Sequence, residues 1–250
     1  MSGDAGNSGK TTIPKTKTNK DHFKQLHMSK HTVSIKTIEH ITHDTLRIVT
    51  EKPEEYQFKP GQATDIAINK NGWQKEKRPF TFTSLPEDQD LEFVIKTYPL
   101  HDGATDKLLD VRAGDELILH DVFGAITYKG EGTFIAGGAG ITPFIAIFRD
   151  LAKKQKTGNN QLIYANKTVK DIILKDELEE MLGDNLTHIL SEEEFNEHAH
   201  GLITKDFLKD QIRNTDQNFY LCGPPPMMEA VEKDLYDLGV KEKQVVKEGW

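Results

Sequence analysis

The chain has 250 residues, enough for two domains of ordinary size, and carries a formal net charge of −8 at pH 7. An acidic chain with 36% hydrophobic and 29% charged residues argues for a globular protein and against general nucleic-acid binding. Cys222 is its one cysteine, which excludes intramolecular disulfides, a four-cysteine zinc site and a cysteine-ligated iron–sulfur cluster; no apolar run is long enough for a membrane helix, and a cytoplasmic location is expected.

Residues 1–28 are rich in Ser, Thr, Gly, Asn and Lys, and read as a disordered arm or a cloning remnant. "GNSGKT" within them lacks both the leading glycine and the preceding strand of a phosphate-binding loop. From 29 to 128 the pattern is strand after strand: "TVSIKTIEHI", "TLRIVTEK", "ATDIAIN", "RPFTFTS", "LEFVIKTY" and "DELILHDV". Turn signals separate them, as at Lys59-Pro60-Gly61 and Asn71-Gly72, and one short helix is expected near 104–111. This spacing predicts an antiparallel β-barrel. In "RPFTFTS" the alternation predicts a strand through Ser84, with Arg78, Phe80 and Phe82 on one face and Pro79, Thr81 and Thr83 on the other.

Beyond residue 129 the period changes. "GTFIAGG", "QLIYAN", "NLTHIL" and "NFYLCG" are buried-type strands, each followed by a helical pattern, and "QVVKEGW" closes the chain. Strand–helix alternation predicts an α/β doubly wound parallel sheet over 129–250.

Three stretches carry chemistry. In "GGAGITPF" Gly137, Gly138 and Gly140 permit close backbone approach, Thr142 offers a hydroxyl, and Pro143 suits the first helical turn. Free amides there favour a pyrophosphate, although a tight turn without a ligand has the same pattern. "YLCGPPPMM" places Cys222, Gly223 and Pro224 at the carboxyl end of a strand, where ligands sit in such sheets; a buried structural thiol is equally consistent. "NKNGWQKEKR" holds Lys70, Lys75, Lys77 and Arg78 against one glutamate, which reads either as a docking patch for an acidic carrier or as a solvated, edge-protecting hairpin. His198 and His200 in "EHAHG" read as a solvated loop, and no metal site is expected.

"RPFTFTS", "GGAGITPF" and "CGPPPMM", in this order on a barrel-then-sheet layout, resemble the ferredoxin–NADP reductase superfamily over about residues 31–250. "YANKTVKDIILKDELEEML" is similar to cytochrome b5 reductases, whereas the ending "KEGW" is more like flavodoxin and ferredoxin reductases. The resemblance implies FAD in the barrel and NADPH or NADH on the sheet. It implies that Arg78 neutralises the flavin pyrophosphate, that Phe80, beside Pro79, stacks on the isoalloxazine in place of the usual tyrosine, and that Thr81 bonds near N5. Ile95 and Lys96 would line the FAD, and Gly103, Ala104 and Thr105 would hold its pyrophosphate, with Asp102 standing where the family has glycine. Trp250 would cover the opposite flavin face, and Glu248 would position nicotinamide. The nucleotide would lie along Gly138, Gly140, Thr142 and Pro143, with Asn166 and Lys167 at its ribose and Cys222, Gly223 and Pro224 at its nicotinamide. Lys167, with no acidic residue closing its own strand, favours the 2′-phosphate of NADPH. Thr81, Cys222 and Glu248 are then the catalytic set for hydride transfer to flavin N5, and flavodoxin, ferredoxin or another redox carrier is the expected partner. A reductase for a heme-protein or monooxygenase system, or a nucleotide-binding regulatory subunit, is the alternative.

Overall fold

The computed structural model describes residues 1, 3, 30–98, 103–195 and 197–248. The arm lies almost entirely outside these, as do Asp102 and Trp250.

The first sheet comprises β1 (His31–Thr42), β2 (Thr45–Glu51), β3 (Ala63–Ile68), β4 (Arg78–Thr81), β5 (Asp90–Lys96) and β6 (Glu116–Phe123), in the order β4-β3-β6-β1-β2-β5. Every pairing is antiparallel, and a bridge between Phe82 and Phe93 joins the two ends into a closed barrel. Closure removes the unpaired edges that an open sheet of this kind would expose. The barrel is filled by the inward residues of alternating strands, Ile48, Phe82, Leu91, Phe93 and Leu117 among them, with Phe58 stacked on Phe82 at 4.1 Å. The expected helix is a single turn, α1 (Ala104–Lys107), running into a 3-10 turn at Leu108–Asp110.

"RPFTFTS" departs from its expected extent. The strand ends at Thr81, and Phe82, Thr83 and Ser84 are all buried, so the two-faced alternation stops there. The cause is tertiary. At Phe82 the chain leaves β3 for β5: Thr83 N–H donates to the Glu92 carbonyl at 2.9 Å, and Glu92 N–H donates to Ser84 Oγ at 3.0 Å.

The second sheet is wholly parallel, in the order β10-β9-β8-β7-β11-β12, built from β7 (Gly132–Gly137), β8 (Gln161–Asn166), β9 (Leu186–Leu190), β10 (Ala199–His200), β11 (Asn218–Cys222) and β12 (Val245–Lys247). Helices α2 (Thr142–Lys153), α3 (Lys175–Leu182), α4 (Lys205–Gln211) and α5 (Pro225–Asp237) cover it. Along β7, Phe134 packs into the layer with Phe144, Phe148 and Tyr220, while Ile135 packs into the layer with Leu208, Val231 and Leu235. Both faces are therefore buried, as parallel sheets require. The order reverses between β7 and β11, so a crevice opens at the carboxyl ends of those two strands. The edge strand β10 has only two residues and was not anticipated from sequence. No described helix is long and apolar enough to cross a membrane.

Polar contacts join the two sheets. Arg149 on α2 donates from Nη1 to Glu92 Oε1 at 2.6 Å and to the Thr83 carbonyl at 2.8 Å, and from Nε and Nη2 to the Glu177 carboxylate at 2.5 and 2.9 Å. Arg47 Nε reaches Glu92 Oε2 at 2.6 Å, and Thr83 Oγ1 donates to Glu92 Oε1 at 2.9 Å. Lys96 Nζ on β5 lies 2.7 Å from Asp44 and 3.5 Å from Asp171 beyond β8. Val94 and Ile126 add apolar contact with the core of the second sheet.

Burial alone would raise the Glu92 pKa, but Arg149, Thr83 and Arg47 outweigh it and hold the carboxyl below its ordinary 4.5. A depressed carboxylate contributes stability that is present above its unfolded pKa and lost as pH falls through the folded one, so this contribution fades below about pH 4.5. Replacing Arg149 by Leu leaves Glu92 buried without its strongest partner and is expected to cost about 3 kcal/mol in urea denaturation near neutral pH, with a smaller difference from wild type in acid. An equal difference at both pH values would contradict the charge origin.

Candidate active site

A cleft of about 430 Å³ lies between the barrel and the parallel sheet. Pro79, Phe80 and Thr81 of β4 and Ile95 and Lys96 of β5 form one wall. Gly140, Thr142 and Pro143 after β7, and Cys222, Gly223 and Pro224 after β11, form the other, with Glu248 beside them. A second pocket of about 500 Å³ runs over the carboxyl end of β8, bounded by Gly138, Asn166, Lys167, Ser191 and Met227. Lys96, Tyr98, Gly137, Ala139 and Pro224 line both, so the two form one continuous trough.

The glycines of "GGAGITPF" divide their work. A Cβ on Gly140 would stand 2.2 Å from the Cys222 carbonyl, and one on Gly137 would stand 2.4 Å from Met227 Sδ. These two let the β7 and β11 turns pack against each other. Gly138 has a φ of +50° and nothing within 4 Å of its missing Cβ, which leaves its outer face open to the trough. Its carbonyl accepts a hydrogen bond from the buried Tyr164 hydroxyl at 3.1 Å, and that hydroxyl accepts one from Ile173 N–H at 3.4 Å. Tyr164 thereby pins the glycine turn to β8. The start of α2 carries no side-chain cap; Thr142 N–H donates to the Ala139 carbonyl and Pro143 has no N–H, so what this turn offers a ligand is the Thr142 hydroxyl and the open face of Gly138.

Asn166 is 8% exposed, yet among the described residues neither its Oδ1 nor its Nδ2 makes a hydrogen bond. Buried amides are ordinarily satisfied, and leaving one unpaired costs about 1–3 kcal/mol. A polar ligand in the second pocket would supply the missing partners. Thr81, half-buried on the cleft wall, likewise has no side-chain hydrogen bond among the described residues.

Other expected residues fall differently. Arg78 is exposed, donates to the Lys77 carbonyl at 2.7 Å, and does not line the cleft. Gly103, Ala104 and Thr105 open α1, with Ala104 buried, and none lines either pocket. Trp250 lies outside the described residues. Glu248 Oε1 accepts from Ala125 N–H at 2.8 Å and Ile126 N–H at 3.2 Å, so its carboxylate also ties the last strand to the connection between the sheets. In the basic hairpin Lys70 pairs with Asp115 at 2.7 Å and Lys77 with Asp65 at 3.2 Å, which neutralises part of the expected patch.

The sequence reading missed Glu192. No acid closes β8, but in a parallel sheet the neighbouring strand ends alongside it, and Glu192 after β9 reaches Lys167 at 2.8 Å. The acidic run following "NLTHIL" was the available signal. Tyr98, Ser191 and Met227 were also missed, because no local pattern marks them.

Two family models match the chain: an FAD-binding domain over residues 29–115 and an oxidoreductase NAD-binding domain over 134–233. The chain belongs to the ferredoxin–NADP reductase superfamily, and its cofactors are FAD and a nicotinamide dinucleotide. It is 32% identical over 229 residues to the reductase component of propane 2-monooxygenase from Rhodococcus jostii, covering 83% of this chain and 60% of that one. It is 26% identical over 235 residues to NADH-cytochrome b5 reductase 2 of Mycosarcoma maydis, covering 85% and 65%. The chain thus spans about 60% of the length of the monooxygenase reductases it matches. In fold it is similar to the FAD/NAD-binding domain of a Vibrio cholerae nitric oxide dioxygenase (TM-score 0.78, 22% identity, 88% and 98% covered). It is also similar to a Neisseria gonorrhoeae ferredoxin NADP+ reductase with bound FAD and NADP (TM-score 0.77, 18% identity, 87% and 97% covered).

The Cys222 thiol is pushed up to about 12, by burial first and then by the Glu248 charge. At pH 8 a thiol so shifted is ionised to only about 10⁻⁴, so it acts here as a neutral group and not as a nucleophile. Iodoacetamide is expected to label the folded protein far more slowly at pH 8 than the same chain in urea, and labelling at the unfolded rate would contradict this assignment.

Proposed function

We propose that the chain is an NAD(P)H-dependent flavoprotein reductase that delivers electrons to a redox protein. The observation that carries this reading is the continuous trough, with Phe80 and Thr81 on one wall, Cys222 and Thr142 on the other, and an unsatisfied Asn166 at its far end. On this reading the FAD-binding domain spans 29–128 and the nicotinamide domain 129–250. The barrel wall at Phe80 and Thr81 would hold FAD, which would supply hydride acceptance from the nicotinamide and one-electron release to the acceptor.

The residues supply position and exclusion of water. Phe80, backed by the barrel core, offers a flat apolar face to the flavin ring, and the Thr81 hydroxyl offers a donor at its polar edge. The open backbone at Gly138 and the Thr142 hydroxyl hold the dinucleotide pyrophosphate, with Lys96 as the adjacent cation. Asn166 bonds the adenosine end. Cys222 and Gly223 form a close, uncharged floor against the nicotinamide, and Glu248 sets the position of that floor relative to the barrel.

The acceptor class follows from the relatives, which are named as monooxygenase reductase components and cytochrome b5 reductases. We place an oxygenase component or heme protein ahead of flavodoxin or ferredoxin on this ground. We place the protein's action in the cytoplasm, on the ground that a chain of this length with one cysteine is not built on disulfides.

Glu192 argues for NADH. It already satisfies Lys167, and a second anion at that point meets its carboxylate. Anaerobic mixing of the FAD-loaded protein with NADH or NADPH tests both claims: the flavin should bleach with either and faster with NADH at equal concentration. Flavin that stays oxidised with both would overturn the proposal. Exchanging Glu192 for Gln should raise NADPH use several-fold while leaving NADH nearly unchanged. Asn166→Leu is expected to raise KM for NADH about tenfold with FAD content retained, the loss of one to two buried hydrogen bonds.

A further inference from the structure

On the outer edge of the parallel sheet, away from both walls of the trough, α3, β9 and the turn before β10 enclose a pocket of about 380 Å³. His188, in the middle of β9, is 5% exposed, and both of its ring nitrogens lack hydrogen-bond partners among the described residues. The ring of His198 stands 4.9 Å from it, centroid to centroid, at 63°, and its Nε2 is buried and equally unpartnered. Glu179 on α3 brings Oε1 to 3.8 Å from His188 Nε2, and Glu197 lines the same pocket. The sequence places His198 and His200 in one solvated loop; His200 Nδ1 contacts the Glu193 carbonyl at 3.1 Å, and His198 turns to His188 instead.

A buried and a half-buried imidazole with three buried nitrogens unused among the described residues are costly unless something occupies them. Ordinary packing would aim at least one nitrogen at a carbonyl or a hydroxyl. The geometry points to a binding site for a borderline transition-metal cation, with Zn2+ as its type, held by His188, His198 and the Glu179 carboxylate. Imidazole nitrogen with one carboxylate selects zinc, copper or nickel over calcium and magnesium, which take oxygen sets. Glu179 is half-exposed, on a long side chain that can close the last gap. A bound ion would fasten α3 and the β10 segment onto β9, reinforcing the shortest strand of the sheet. No residue of this site lines the cleft or the nucleotide pocket, so its occupancy is separable from the proposed reductase activity.

A second cluster competes on paper. His43, Asp44 and Asp171 bring ligand atoms within 4.8 Å of one another, but Lys96 already places its ammonium 2.7 Å from Asp44 and 3.5 Å from Asp171. At 2.7 Å that ammonium already occupies Asp44, whereas Lys175 stands 3.7 Å from Glu179 Oε1 and is displaced when Glu179 turns to a metal.

The test uses the metal-stripped, FAD-loaded full chain, titrated with ZnCl2 by calorimetry, with thermal unfolding as a second readout. Wild type should take up one Zn2+ per chain with a dissociation constant in about the micromolar range and melt at a higher temperature when loaded. His198→Asn, at a half-buried position that tolerates the change, should weaken binding at least about tenfold, and Glu179→Gln should weaken it less. His200→Asn and His43→Asn should bind as wild type does. His188→Asn serves only alongside these, since the His198 and Glu179 variants decide the matter if it fails to fold. No stoichiometric uptake up to millimolar zinc, or uptake that His198→Asn leaves intact, would overturn the site.

Discussion

The Arg149–Glu92 pair sets the geometry on which everything else rests. A guanidinium on the first helix of the parallel sheet reaches across to a carboxylate on β5 of the barrel, and the same group holds Glu177 behind it. Charges this buried are unfavourable singly and become tolerable only when every lone pair and proton is used. Here Glu92 is met by Arg149, Arg47 and Thr83 together, and Arg149 also takes the Thr83 carbonyl. Such a network has few alternative arrangements, whereas an apolar interface can slide. The consequence is local as well as global. Thr83 is two residues beyond Thr81, so the clamp fixes the end of the strand that forms the barrel wall of the cleft.

The opposite wall is built by a different device, close approach of backbone. Gly137 and Gly140 remove the Cβ atoms that would otherwise separate the β7 and β11 turns from Met227 and Cys222. Tyr164 then anchors the Gly138 carbonyl from below. The wall is therefore stiff where it meets its neighbours and open where it meets the trough. Glu248 links this wall to the connection between sheets through two amides. The proposed reductase needs nothing more from the protein than two such walls at a constant separation, since the redox chemistry belongs to the cofactors.

Much of this was legible in sequence because it is local. Alternation marked the barrel strands, the change of period marked the parallel sheet, and glycine and proline marked the turns that face each other across the switch point. The misreadings share a cause. β4 stops at Thr81 because Phe82 pairs with Phe93, a contact set by barrel closure and not by the residues of "RPFTFTS". Glu192 neutralises Lys167 from an adjacent strand, and His188 meets His198 across a strand edge, where the sequence suggested only a solvated loop. Arg149 sits 57 residues from Glu92, in a helix whose pattern shows only amphipathicity. Arg78 shows the converse: a motif position whose side chain turns to its own backbone. Local pattern reports elements and turns; the pairing of charges between elements depends on how the elements dock.

The central claim is that the clamp holds the two walls at the separation the reaction needs. The most direct measurement is the limiting rate of flavin reduction at saturating NADH in Glu92→Gln, which keeps the side chain's shape and removes its charge. The limiting rate is expected to fall well below wild type, with FAD content and the NADH concentration for half-saturation little changed. A limiting rate equal to wild type would contradict it.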